Sequence, residues 1–127
     1  MPKSQKFLAK KQKDTAVVLD AKGESLGRLA SHIASLLQGK DKPSYLPYKD
    51  EGCTVEVKNL SQVRITGKKL ETKLYWHYTG YPGGIRSKSM GELWEKDPAD
   101  VLHRAVFGML PKNKFRTARM KRLKIGS

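Results

Sequence analysis

The chain has 127 residues, 38% of them hydrophobic, and carries 26 Lys plus Arg against 12 Asp plus Glu, a formal net charge of +14. That length fits one domain, and the apolar share is large enough to close a core, which excludes wholesale disorder. No apolar run reaches the roughly 18 residues of a transmembrane helix, and a single cysteine, Cys53, excludes a disulfide framework or a multi-cysteine zinc site.

The first predicted element is a buried strand from Ala16 to Asp20, a β-branched run closed by a turn at Lys22 and Gly23. A helix follows from about Ser25, in the N-cap position, to Gln38, with Gly39 as its terminator. Leu26, Leu29, Ile33, Leu36 and Leu37 form its apolar stripe, and Arg28 and His32 lie on a flanking face. Strand feeding into amphipathic helix points to a βα unit and a helix-covered sheet. Pro43 and Pro47 make 40–49 an extended loop. Cys53, Val55 and Val57 then alternate with polar residues as in a half-buried strand, and Val63 and Ile65 predict a further strand over 62–66, of undetermined direction. Residues 67–90 read as a loop. Ser89 with Glu92 is a capping box for a short helix, and Asp97-Pro98 opens another that runs to Pro111. Its stripe is Val101, Leu102, Ala105, Val106 and Met109.

Charge is distributed unevenly among these elements. Residues 1–13 hold five lysines and no acid, 14–66 balance, 67–90 net +4, 91–110 net −2, and 111–127 hold seven cations and no acid. A balanced interior with basic appendages is the pattern of a scaffold that presents cations to an outside polyanion. Residues 1–14 read as a basic N-terminal extension without a signal-peptide core; a merely solubilising tail is the competing reading.

Two segments carry the chemistry. In the central one, Lys68, Lys69, Lys73, Arg86 and Lys88 surround Tyr75, Trp76, His77, Tyr78, Thr79 and Tyr81, with glycines at 80, 83 and 84. Cations neutralise phosphates, rings stack on unpaired bases, and glycines let a backbone approach a sugar–phosphate chain. Against this stands the plainer reading that the rings fill a core and the glycines make turns. The second segment is the C-terminal tail, where Lys112, Lys114, Arg116, Arg119, Lys121 and Arg122 have no acid beside them in sequence. An external anion explains them better than mutual packing, with a generic solvated face as the alternative.

Enzyme readings are weaker. Residues 23–28 sit between strand and helix but lack the ending of a phosphate-binding loop, although a helix start there, with Arg28, favours contact with a nucleic-acid backbone. His32, His77 and His103 lack metal-ligand spacing. Cys53 reads as a buried structural thiol. No cofactor or small-molecule substrate is called for.

Val17-Val18-Leu19-Asp20-Ala21, Leu26-Gly27-Arg28-Leu29-Ala30, Thr66-Gly67-Lys68-Lys69, Thr79-Gly80-Tyr81-Pro82-Gly83-Gly84 and Gly108-Met109-Leu110-Pro111-Lys112-Asn113 occur in order. Together they resemble the bacterial-type large-ribosomal-subunit protein family called L-thirteen, over residues 16–125. The resemblance implies a three-layer α/β/α single domain around a small, mainly parallel sheet, with basic extended N- and C-terminal segments. It implies no catalysis, binding to large-subunit ribosomal RNA beside neighbouring ribosomal proteins, and a part in early subunit assembly. The site residues expected to meet RNA are Arg28, the central cations with Tyr75, His77, Tyr78 and Thr79, and the six tail cations named above. The expected location is a ribosome, in the cytoplasm or an organelle, with no membrane role. The sequence departs from the family pattern at Thr15-Ala16, at His77-Tyr78, at Arg116-Thr117 and in ending soon after Ile125. A free-standing nucleic-acid-binding regulator and a small nucleic-acid-modifying enzyme, with His77 or Asp50 essential, are the alternatives.

Overall fold

The computed structural model describes residues 16–126; the expected N-terminal extension lies outside them. Three parallel strands, β1 (Ala16–Asp20), β2 (Thr54–Lys58) and β5 (Leu123–Ile125), form one sheet in the order β1-β2-β5. Val17 meets Val55 and Leu19 meets Val57, while Leu123 and Ile125 pair with the same two valines from the other side. Period-two alternation therefore puts Val17, Leu19, Val55, Val57, Leu123 and Ile125 on one face. Against that face pack helix α1 (Leu26–Gln38) and helix α4 (Pro98–Met109). Leu29, Ile33, Leu37, Val101, Leu102 and Val106 are fully enclosed there. This is the α/β class with a small parallel sheet in a single domain. On the opposite face Ala16, Val18 and Asp20 of the edge strand are exposed, while Thr54 and Glu56 of the central strand are partly covered.

Local signals account for the helix ends. Gly39 takes φ +79 and donates to the carbonyls of Ser35 and Leu36, closing α1 with the left-handed cap that glycine adopts without strain. Ser25 occupies the N-cap position of α1, but its hydroxyl makes no capping bond. Helix α3 (Met90–Lys96) starts at Ser89, whose hydroxyl accepts from the Glu92 N–H at 3.3 Å. Asp97 accepts from the Ala99 N–H at 3.0 Å to start α4, with Pro98 at the first helical position.

Three expectations are corrected. The strand over 62–66 is reduced to one parallel bridge between Ser25 and Arg64, preceded by a 3₁₀ turn at Leu60–Gln62. Val63 is buried there without laddering, so its alternation with Ile65 reports burial and not pairing. The loop over 67–90 is instead a short helix α2 (Lys69–Thr72) and an antiparallel hairpin of β3 (Leu74–Tyr78) and β4 (Ile85–Ser89). Lastly, the C-terminal segment is not an extended tail: it folds into α5 (Phe115–Lys121) and then β5, the edge strand of the sheet.

What holds that segment down is Asp50. Its carboxylate accepts from Arg122 at 2.6 Å and from the Nε of Arg119 at 3.3 Å, and Arg119 is only 2% exposed. Arg122 also donates to the carbonyls of Leu37, at the end of α1, and of Gly52, just before β2. A side chain at Gly52 would collide with the Leu37 carbonyl, which is why only glycine lets this loop pass so close to the helix. Charge-assisted bonds of this kind are worth more than neutral ones, and stripping one partner from a buried pair leaves an uncompensated charge. Asp50→Ala should therefore cost about 3 kcal/mol in urea unfolding, whereas Arg119→Met, which removes the charge and keeps the volume, should cost clearly less.

Asp20 ends β1 and accepts from Asn59 Nδ2 and from the Lys22 N–H, both at 3.0 Å. The Asn59 bond, then the Lys22 bond, holds its carboxyl below the ordinary value of 3.8. A lowered folded-state pKa contributes stability above the unfolded value that drains away as pH falls through the folded one. The melting temperature of Asp20→Ala should lie below that of the parent at neutral pH, and the gap should close as acid protonates Asp20.

Candidate nucleic-acid interface

The hairpin sorts its side chains by register. Tyr75 faces Lys88 and His77 faces Arg86, so these four share one side; Leu74, Trp76 and Tyr78 share the other with Ser89, Ser87 and Ile85. The first side is cationic. Tyr75 is half-buried beneath two cations, with Lys73 Nζ at 5.5 Å and the Arg104 guanidinium at 5.6 Å from its ring centre. Burial pushes the Tyr75 phenol above its usual 10.0, with Arg104 opposing and Asp100 reinforcing. The second side has no charge and leaves Trp76, Tyr78 and Ile85 more than 60% exposed.

The connecting turn explains the glycines. Thr79 N–H donates to the Gly84 carbonyl at 3.0 Å and Gly84 N–H to the Tyr81 carbonyl at 2.9 Å. Gly80 and Gly83 take φ of +89 and +71, and a Cβ on Gly84 would strike the Thr79 hydroxyl. All three are thus required by the turn itself. The plainer reading holds for these glycines, while the rings, Tyr75 apart, stand out from the surface.

The remaining expected residues separate into two kinds. Lys68, Lys69 and Lys73 sit on and around α2 and are exposed, as are Arg28 on the first turn of α1 and Thr79 in the turn. Lys112 and Lys114 precede α5, and Lys121 ends it, all exposed. Arg116 lies flat on Phe107, 3.4 Å from the ring centre, with its Nε buried and unbonded. Among the described residues none of these cations has a carboxylate within ion-pair distance. Arg119 and Arg122 differ: both are spent on Asp50, which takes them out of the anion-facing set expected from sequence. The same pairing occupies Asp50, so it is not free for catalysis. Arg64 and Arg104 are also exposed on this surface and were not among the cations expected from sequence. Arg104 stands in an acidic stretch, and Arg64 reaches α1 only through its bridge to Ser25.

No helix among the described residues is long and apolar enough to cross a membrane. The fold and surface define a small α/β domain in which, among the described residues, the exposed cations of the hairpin and of α5 have no carboxylate within ion-pair distance. Residues 14–126 match the family model of Ribosomal protein L13. The chain is 47% identical over 120 residues to the large ribosomal subunit protein uL13 of Geobacter sulfurreducens, covering 93% of this chain and 84% of that one. It is 51% identical over 108 residues to the protein of the same name from Caldanaerobacter subterraneus, covering 85% and 76%. The chain belongs to the L13 family of ribosomal proteins, and with that it is a non-enzymatic, structural chain.

The tightness of the turn has a measurable consequence. Gly84→Ala should overpack it against Thr79 at a cost of about 1–3 kcal/mol, seen as faster hydrogen exchange at the hairpin amides while those of α1 and β2 stay protected.

Proposed function

We propose that this protein is a constituent of the large ribosomal subunit that binds large-subunit ribosomal RNA and enters the subunit early in its assembly. The observation that carries the reading is the set of exposed cations without carboxylate partners, in a chain of this family. An exposed lysine or arginine lacking an internal partner gains most from phosphate, because each pairing releases condensed counterions from the RNA. Lys68, Lys69, Lys73, Arg86 and Lys88 supply such pairings around the hairpin; Lys112, Lys114, Arg116 and Lys121 supply them around α5. Tyr78 stands exposed at the end of β3 for a base or sugar, and His77 sits beside Arg86 on the cationic side. Neighbouring large-subunit proteins complete the partners, and the early role in assembly rests on the family resemblance.

The test is a titration of large-subunit ribosomal RNA against salt. Replacing Lys112, Lys114 and Lys121 together by Ala should weaken binding and flatten the plot of log affinity against log salt by about 0.7–0.9 for each phosphate left without its cation. Sedimentation of the tagged protein with large subunits at moderate salt is the expected companion result. An unchanged slope would remove α5 from the interface, and a low-mass peak alone would overturn the reading.

A further inference from the structure

Three hollows on the surface are linked in series by shared lining residues. The first lies at the start of α1 and is lined by Arg28, His32 and Arg64 together with Glu24. The second shares Ser25, Arg64 and Thr66 with the first and continues past Lys69 and Lys73 to Arg104. Arg104 also lines the third, which runs under the cationic side of the hairpin along Tyr75, His77, Arg86 and Lys88. Seven Lys and Arg side chains therefore line the groove, and among the described residues its walls hold one acid, Glu24. Arg28 and Arg64 are exposed and have no carboxylate partner among the described residues, and Arg104 holds Asp100 through its Nε alone.

We propose that this groove is a track for one single strand of RNA, running from Arg28 and Arg64, past Lys69, Lys73 and Arg104, onto the hairpin. The inference rests on the RNA-binding reading above and adds a path, a strand state and two residues, Arg64 and Arg104, that the charge runs of the sequence do not reveal. A line of cations in a concavity follows one backbone, and the exposed rings of Trp76 and His77, which line the third hollow, offer faces to unpaired bases at its far end. Trp76 and Ser87, a cross-strand pair, line the third hollow beside the cationic residues. Arg64 is the joint of the track. Its backbone is held on both sides, the N–H donating to the Glu24 carbonyl at 2.8 Å and the carbonyl accepting from the Leu26 N–H at 3.2 Å. The side chain thus leaves a fixed point between the first two hollows.

The full chain should be titrated with a fluorescently labelled, unstructured RNA oligonucleotide and with an RNA duplex of equal length, across a range of salt. Single strand should bind tighter than duplex. Arg28→Ala with Arg64→Ala should lower the single-strand salt slope by about 1.4, at about 0.7 for each of two phosphates. Their unfolding midpoint should not move, since neither side chain has an internal partner to lose. Arg64→Lys should restore most of the missing slope. An unaltered slope in the double variant, or tighter binding of duplex, would overturn the track while leaving RNA binding through α5 intact. Loss of the slope in a Lys112→Ala, Lys114→Ala variant but not in the groove variant would do the same. Failure of the parent chain to bind either RNA would overturn both readings.

Discussion

The carboxylate of Asp50 decides whether the last part of this chain is a tail or a strand. Between Pro111 and Gly126 there are seven cations and no acid, and such a segment repels itself. One acid from a loop far earlier in the chain accepts from two of those cations, and the docked guanidinium of Arg122 also ties off carbonyls from α1 and from the approach to β2. Beyond that junction Leu123 and Ile125 pair with Val55 and Val57, completing the apolar side of the sheet. Fold and surface charge are therefore coupled: two arginines are withdrawn inward so that the rest can be displayed outward on a rigid support.

The hairpin solves a related problem differently. It buries little, and Gly84 is its only fully covered position before Met90. Its shape comes from paired backbone, a glycine-dependent turn and cations resting over Tyr75. A two-stranded ribbon of this kind is marginal alone, and here it is tied to the domain through α2 and α3, where Met90 N–H donates to the Lys73 carbonyl. The result is a stiff projection with chemically unlike sides, suited to a polyanion on one side and an uncharged surface on the other.

Much of the scaffold was legible in the sequence because its signals are local. Gly39, Ser89 and Asp97-Pro98 mark helix ends where the structure has them, and the stripe of α1 is the stripe that packs. The hairpin escaped notice because period two is read from apolar residues facing a core, and here Tyr75 alone packs against one while Trp76 and Ile85 look outward, opposite His77 and Arg86. The alternation at Val63 and Ile65 misled for the converse reason, since a residue can be buried by packing under a helix without joining a ladder. Arg119 and Arg122 were indistinguishable from Lys112 and Lys114 by composition. What separates them is a contact across most of the chain, which no local window contains. The family motifs, in contrast, identified the chain from short fragments in order, without any account of which cations point where.

The pairing of β2 with β5 joins Val55 to Leu123, and parallel contacts so distant in sequence form slowly, after local helices and turns. The pairing of Arg119 and Arg122 with Asp50 spans a similar separation, because their own segment holds no acid. Docking of the terminal segment is thus the long-range step of this fold, and it closes on one internal carboxylate.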